Sequence, residues 1–402
     1  MEAYLIEWTE LLVRWLHIIV GIAWIGSSFY FVMLDNSLKP PRKKRDKERG
    51  VHGEFWEVHG GGFYNSQKFL AGPVGESLPK KVKWSKWPAY TTWMSGMGLM
   101  ALVYWWGATS YLIDPSVADL SVHVAVGISV GAIAVGWIVY DILCRVLGKR
   151  EWLLTACVFV LVVASTWALH QVFSGRAAYI HIGAMMGTMM VANVFFHIIP
   201  GQRKMVAQIR AGEEVDPTPG LKGKQRSVHN TYFTLPVLFT MISSHYPMTY
   251  AHPNAWLILV ILMLAGVFIR QFFVMRHQGK DVWWLWIVAI ALILALVVAM
   301  APRDEEAFEI PDEPISYAEI ERIVTDRCVA CHSEDPTYPG YVQPPNGIAL
   351  DTPEQIRRHG VSSADTIRRN YMPIGNLTKM TEEERALFSA WVAQGMPEET
   401  TP

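Results

Sequence analysis

Between residues 8 and 301 the chain returns repeatedly to apolar runs of about 20 residues. A helix of that length crosses the ~30 Å hydrocarbon core of a bilayer. Backbone polar groups find no water there, so each run has to satisfy its hydrogen bonds internally, as a helix does. The spans read as about 9–33, 90–112, 121–144, 152–173, 177–199, 230–248, 254–275 and 282–301. The first is longer than the apolar core of a cleaved signal peptide and is expected to stay as an anchor. After Pro302 the sequence turns polar and acidic, so the net charge of -1 averages two unlike halves. The expected organisation is a membrane domain (1–301), an acidic Pro-rich linker (302–316) acting as a short spacer, and a small polar domain (317–402).

The connections fix an orientation. Segment 35–88 is dense in Lys and Arg, from Lys39 to Lys86, and three further connections on that side carry Arg145, Lys149 and Arg150, then Arg203 to Arg226, then Arg276 and Lys280. The opposite side has Arg176 and almost nothing else. The positive-inside bias puts both termini outside the cytoplasm. The partner implied is a lipid bilayer, and no nucleic-acid partner is expected.

The polar tail carries Cys328-Val329-Ala330-Cys331-His332. C-x-x-C-H is the attachment signal of a c-type haem: two thiols bond the porphyrin and the His reaches the iron. A structural zinc would need two further Cys or His at close spacing, and the other cysteines, Cys144 and Cys157, lie far upstream in apolar runs. One covalent haem c is therefore expected, with His332 as one axial ligand. Met372, in Tyr371-Met372-Pro373, is the preferred second ligand. Met380 is the alternative, but it abuts a capping box at Thr381 and Glu384. Ser316 and Glu319 read as another capping box opening a helix that runs to Cys328, and a last helix is expected over about 382–394. The tail resembles the class I cytochrome c family. Because covalent haem attachment occurs outside the bacterial cytoplasm, the motif agrees with the charge bias. The location expected is a bacterial inner membrane, multi-pass, with the tail in the periplasm.

The membrane part reads as a duplication of four spans. Trp15-Leu16-His17-Ile18 matches Tyr179-Ile180-His181-Ile182, with Phe31 and Phe195 each fourteen residues on. Gly148-Lys149 before Trp152 matches Gly279-Lys280 before Trp283. Five histidines, His17, His123, His170, His181 and His245, are expected in the half of the membrane nearer the tail. Ionisable residues within spans are rare and usually face the bundle interior. They could bond across helix seams, or hold a b-type haem. His17 and His181 are the best haem candidates because the repeat makes them equivalent, and His123 with Gly127 and Gly131 makes a stripe that a flat macrocycle could approach.

Segment 51–88 is a long connection rich in aromatics, including Glu57, His59 and Gly60 to Gly62. A loop this long is usually functional or disordered, and its aromatic content argues against disorder. The glycines would allow close backbone approach to a planar polar ligand. Alternatively, the segment lies in the interface, with Lys80, Lys81, Lys83 and Lys86 against anionic lipid. Segment 200–228 is polar and Pro/Gly-rich and carries no readable motif.

Taken together, RWLHIIVGIAWIGSSFYF, VHGEFWEVHGGGFYNSQKF, GTMMVANVFFHIIPGQRKM, CVACH and YMPIGN resemble the bacterial membrane-bound urate oxidase family, also called urate hydroxylase. The likeness covers essentially the whole chain. It implies an all-α fold: a polytopic eight-helix membrane bundle of two four-helix repeats, followed by a small class I cytochrome c domain. It also implies oxidation of urate to 5-hydroxyisourate, with electrons passed through the c haem to a soluble cytochrome c or a terminal oxidase rather than directly to dioxygen. The first-span LHII…W pattern is similar to a four-span haem-binding family that includes protoporphyrinogen oxidase, where the first-span His binds haem; this supports His17. A general base is required; His59, Glu57 and the outer histidines are the candidates. Two other readings stand beside this one: a non-catalytic haem-bearing conduit from quinol or a partner to cytochrome c, and a haem-copper oxidase subunit. The last needs a closely spaced His pair that no span offers.

Overall fold

The computed structural model describes residues 2–301, 313–338, 341, 343–369 and 371–397. It is mostly helical. In chain order, α1 is Glu2–Ser37 and α2 is Lys44–Glu48; a hairpin of β1 (Gly53–His59) and β2 (Gly62–Lys68) follows. Helix α3 (Trp87–Leu99) runs through a π-helical turn, Met100–Trp106, into α4 (Ala108–Tyr111). Then come α5 (Val122–Leu147), α6 (Glu151–His170) and α7 (Gly175–Ala192), which continues through a second π turn, Asn193–Ile198, into α8 (Ile199–Ala211). Next are α9 (Thr218–Ile242), α10 (Pro247–Tyr250), α11 (Ala255–His277) and α12 (Trp284–Ala299). The tail holds α13 (Tyr317–Arg327), α14 (Pro353–Arg368) and α15 (Glu382–Ala393).

Five of these stretches are long and apolar enough to cross a membrane: Tyr4–Ser37, Val122–Leu147, Glu151–His170, Gly175–Ala211 and Ala255–His277. Trp284–Ala299 is apolar but shorter. The expected span at 90–112 is interrupted by a π turn, and the one at 230–248 carries Pro236 within α9 and then breaks into 3-10 and short helical turns. The outward faces of α1 and α12 expose Leu12, Ile22, Ile287 and Val298, a surface compatible with lipid and unsuited to water.

Helix α7 is the hub. Tyr179, Ile182, Met185, Met186 and Met189 are fully buried, and α7 packs against α3, α5, α6 and α9. A helix apolar on all faces belongs in such a position. Close approach is made by glycine: a Cβ on Gly183 would lie 2.1 Å from Thr240 Oγ1 of α9, and one on Gly136 of α5 would lie 2.3 Å from Met185 Sδ. Helix α1 packs on α3, α7 on α9, α5 on α6 and α11 on α12.

Two connections depart from expectation. Segment 51–88 adds a small antiparallel sheet to a fold expected to be all-α. Its register pairs Gly53 with Lys68 and His59 with Gly62. Gly60 (φ 57°) and Gly61 (φ 80°) form the two-residue turn; both positions need positive φ, as in a type I′ hairpin. A Cβ on either would meet nothing within 4 Å, so the turn itself is what requires glycine within the protein. Segment 200–228 is mostly helix, because α7 continues into α8 and α9 begins at Thr218, leaving 212–217 as the connection.

The tail has its own core, in which Ile320, Ile323, Val324, Ile367, Phe388 and Trp391 are buried. The Thr381/Glu384 capping box forms, and Thr352/Gln355 forms another that was not foreseen. Ser316 is the N-cap of α13, but its side chain makes no capping bond, so the expected Ser316/Glu319 box is absent. The linker falls outside the described residues as far as 312; at its end, the Ile315 amide donates to Gln394 Oε1 at 2.9 Å.

Gly183→Ala is expected to force α7 and α9 apart and to destabilise the protein by about 1–3 kcal/mol, read as a lower melting temperature in detergent. An unchanged melting temperature would show that the two helices have slack.

Candidate functional site

The C-x-x-C-H segment follows α13 as a tight turn. The amides of Cys331 and His332 both donate to the Cys328 carbonyl, at 3.1 and 2.9 Å. Arg327 anchors the turn: it forms a two-pronged bond to Glu384 (2.9 and 3.0 Å) and donates to the Thr378 carbonyl at 2.7 Å. Burial pushes the Glu384 carboxyl up, but the Arg327 bonds and the Thr381 amide outweigh it and hold it below the usual carboxylate range. Burial, with the neighbouring Cys331, pushes the Cys328 thiol up to about 12.

His332 Nδ1 lies 2.9 Å from the Ile348 carbonyl. A carbonyl only accepts, so Nδ1 carries the proton and Nε2 keeps the lone pair that a metal takes. Met372 is half-buried, and its carbonyl accepts from Arg385 Nη1 at 2.7 Å. Met380, at 2 % exposure, is core, and its backbone is tied to the Asn376 side chain. Two free thiols, one ring nitrogen and one half-buried methionine are a donor set that fits a covalent haem. Among the described residues no cluster of three or more His, Cys, Asp or Glu is placed to hold a metal ion.

The five histidines do not form one layer. His17 meets Thr92 O and Ser95 Oγ, both 3.0 Å from Nδ1, and lies against Gly96 in the second half of α3. His181 is fully buried beside Tyr104 of the following π turn, roughly 13 Å further along that helix. Its Nδ1 lies 2.7 Å from the Ala177 carbonyl, and its Nε2 lies 2.5 Å from Ser129 Oγ, which also accepts from Trp105 Nε1 at 2.8 Å. Both nitrogens of His181 are thus engaged and neither is left for iron, whereas both bonds of His17 are on Nδ1. The duplicated histidines have unlike surroundings. His123 and His245 are exposed. His170 closes α6 with Nδ1 2.7 Å from the Thr166 carbonyl.

A buried polar network at the other end of the bundle escaped the sequence reading. Arg226 of α9 donates to Asp141 of α5 at 2.8 Å and to Asn193 at 3.2 Å. His197 Nε2 is 2.7 Å from the same Asp141 oxygen. Asn193 donates to Tyr140 and Asn230, and the Tyr140 hydroxyl reaches His229 Nδ1 at 2.9 Å. Asp141, Arg226, Asn193 and Asn230 are all buried. The π turn at 193–198 carries two members, and π turns often mark functional positions. Asp141 within an apolar span was the available signal; Arg226 was assigned to a connection.

Glu57 and His59 sit on the hairpin. Glu57 accepts from the Tyr30 hydroxyl at 2.5 Å, and His59 is exposed at the turn. The tail meets the other end of α1, where Gln343 Nε2 lies 3.5 Å from Glu7. Tyr30 and Glu7 are roughly 35 Å apart along that helix, so the hairpin carboxylate and histidine are remote from the C-x-x-C-H turn. Nearer to it, a cavity of about 430 Å³ lies between the ends of α4, α6, α7 and α11 and the tail residues Tyr371 and Ile374.

The family model described as urate oxidase N-terminal matches residues 3–301. No curated protein and no solved structure matches the chain.

Asp141→Ala would leave Arg226 buried without its carboxylate, at a cost of about 3–5 kcal/mol. Adding Arg226→Met is expected to recover most of the loss in melting temperature. A single variant as stable as wild type would show that the network holds nothing together.

Proposed function

The chain belongs to the urate oxidase N-terminal family, which covers its residues 3–301, and we propose on that premise that it is a membrane-bound urate oxidase that delivers its electrons to a haem held by its own tail. The family supports a urate-related oxidoreductase. The observation that carries the finer reading is the C-x-x-C-H turn, whose His332 keeps Nε2 available while Cys328 and Cys331 are free thiols.

In this reading eight helices cross the bacterial inner membrane as two four-helix repeats. The Lys- and Arg-rich hairpin side faces the cytoplasm, and residues 317–402 form a periplasmic cytochrome c domain after a linker ending at 316. The reaction balances as urate plus water giving 5-hydroxyisourate, two protons and two electrons; the bond formed joins the water oxygen to C5 of the purine. Cys328, Cys331, His332 and Met372 would hold a haem, which would supply a one-electron acceptor. The residues hold it in place: Arg327 and Glu384 fix the thiol turn, and Arg385 fixes the Met372 loop. A soluble cytochrome c or a terminal oxidase then takes the electrons. The general base belongs at the tail end of the bundle, because Glu57 and His59 stand too far away to share one substrate with the tail.

A second haem, of b type, is proposed at His17, where Nδ1 bonding to Thr92 leaves Nε2 the better ligand atom. The bonds of His181 argue against it as a partner, and no step is drawn through this haem.

The purified full chain, given urate and a soluble cytochrome c, should reduce two cytochromes per urate and form no hydrogen peroxide. The Cys328→Ser/Cys331→Ser variant should lose this activity by at least about 100-fold; turnover with peroxide release would mean that urate passes its electrons directly to dioxygen. His17→Ala should abolish a non-covalent pyridine haemochrome signal and spare the covalent one, whereas an unchanged spectrum removes His17 as a ligand.

A further inference from the structure

His170 and Arg176, which line the cavity between the membrane helices and the tail, each carry a buried nitrogen with no hydrogen-bond partner among the described residues. In His170, since Nδ1 must donate to the Thr166 carbonyl, Nε2 bears the lone pair. That Nε2 is buried and has no hydrogen-bond partner among the described residues. Arg176 also lines the cavity. Its guanidinium lies 4.9 Å above the Tyr111 ring, and its Nε is likewise buried and unpartnered. Buried polar groups are nearly always satisfied, so two side chains with an unpartnered nitrogen lining one cavity mark it as a place for a polar ligand. At about 430 Å³ the space falls within the range of small-molecule sites, roughly 300–1,000 Å³. Phe173, Tyr250 and Trp256 supply flat apolar walls, suited to a planar ring.

Cys328, Cys331 and His332 are not among the lining residues, so the cavity is separate from the thiol turn. It is nevertheless one residue from the expected axial methionine: Tyr371 lines it, and so does Arg385, which holds the Met372 carbonyl. Tyr341 of the tail lies near Tyr111 of the membrane side, at the same junction.

We propose that this cavity is the urate site, entered from the outer side, with Arg176 binding the anionic edge of the purine and His170 Nε2 accepting a proton from it. The assignment rests on the urate reading above and adds to it the place, the anchor and the base.

The test uses the full chain reduced with dithionite, so that bound urate cannot be oxidised, and measures urate by equilibrium dialysis. Wild type should bind. Arg176→Gln should weaken binding about 10- to 100-fold, the loss of one hydrogen-bonded charge. Arg176→Lys, which keeps the charge without the fork, should fall between and serves if the first variant does not fold. His170→Gln should bind within about threefold of wild type, while urate-driven cytochrome reduction drops 10²- to 10⁴-fold, the usual contribution of a general base. Gel filtration and the covalent haem spectrum report folding. Folded Arg176 and His170 variants that bind and turn over urate like wild type would overturn this site and leave the urate reading standing. A wild-type protein that neither binds nor oxidises urate would overturn both.

Discussion

A helix buried on every side has no face to spare for an unpartnered polar group, and α7 is such a helix. Its polar members each dictate what a neighbour must carry. His181 requires Ser129 of α5, Thr188 receives the Trp93 indole of α3 at 3.0 Å, and Asn193 beyond its end requires Arg226 and Asn230 of α9. In a medium of low dielectric such pairs are strong when complete and costly when broken. They set the rotation of α3, α5 and α9 about the hub, and glycines at 136 and 183 set the distance.

With the hub fixed, the molecule has two distinct ends. At one, Asp141, Arg226 and His197 form a closed polar knot in which every named group has a partner, and the hairpin is tied to α1 and α9 through Tyr30 and through Asp35, which pairs with Lys68 and Lys224. That is the pattern of a structural element. At the other end His170 and Arg176, each with one buried unpartnered nitrogen, line a cavity beside tail residues. Chemistry belongs where bonding capacity is left over. The same contrast separates His332, with one ring nitrogen kept available, from His181, with none.

The helices were legible in the sequence because apolar length is a strong signal: five expected spans fall on helices long and apolar enough to cross a membrane, and the other three on shorter or interrupted helix. The ends were less so. Pro and Gly in 200–228 read as loop, yet Pro219 sits in the first turn of α9, where a missing N–H costs nothing, and Pro200 directly follows the π turn inside the continuous 175–211 helix. Three consecutive glycines read as a ligand approach, yet two of them make a hairpin turn. The tight turn at Cys328–His332 was legible because it rests on motif and local backbone. The His17/His181 equivalence was not a safe inference: repeated sequence places two residues alike on their own helices, while surroundings come from residues such as Ser129 and Gly96 that the repeat does not share. Arg176 was visible only as a lone outer charge, because its value depends on Tyr111, His170 and Tyr371 converging from distant positions.

The central claim is an electron path within one chain, from urate to the haem carried on Cys328 and Cys331. The most direct measurement is anaerobic: oxidise the purified protein, add urate with no other acceptor, and follow the c-haem absorption bands. The account predicts prompt reduction, complete at one urate for every two haems. Bands that stay oxidised with urate but are reduced by a quinol would contradict it and leave a conduit with a urate oxidase-like membrane fold.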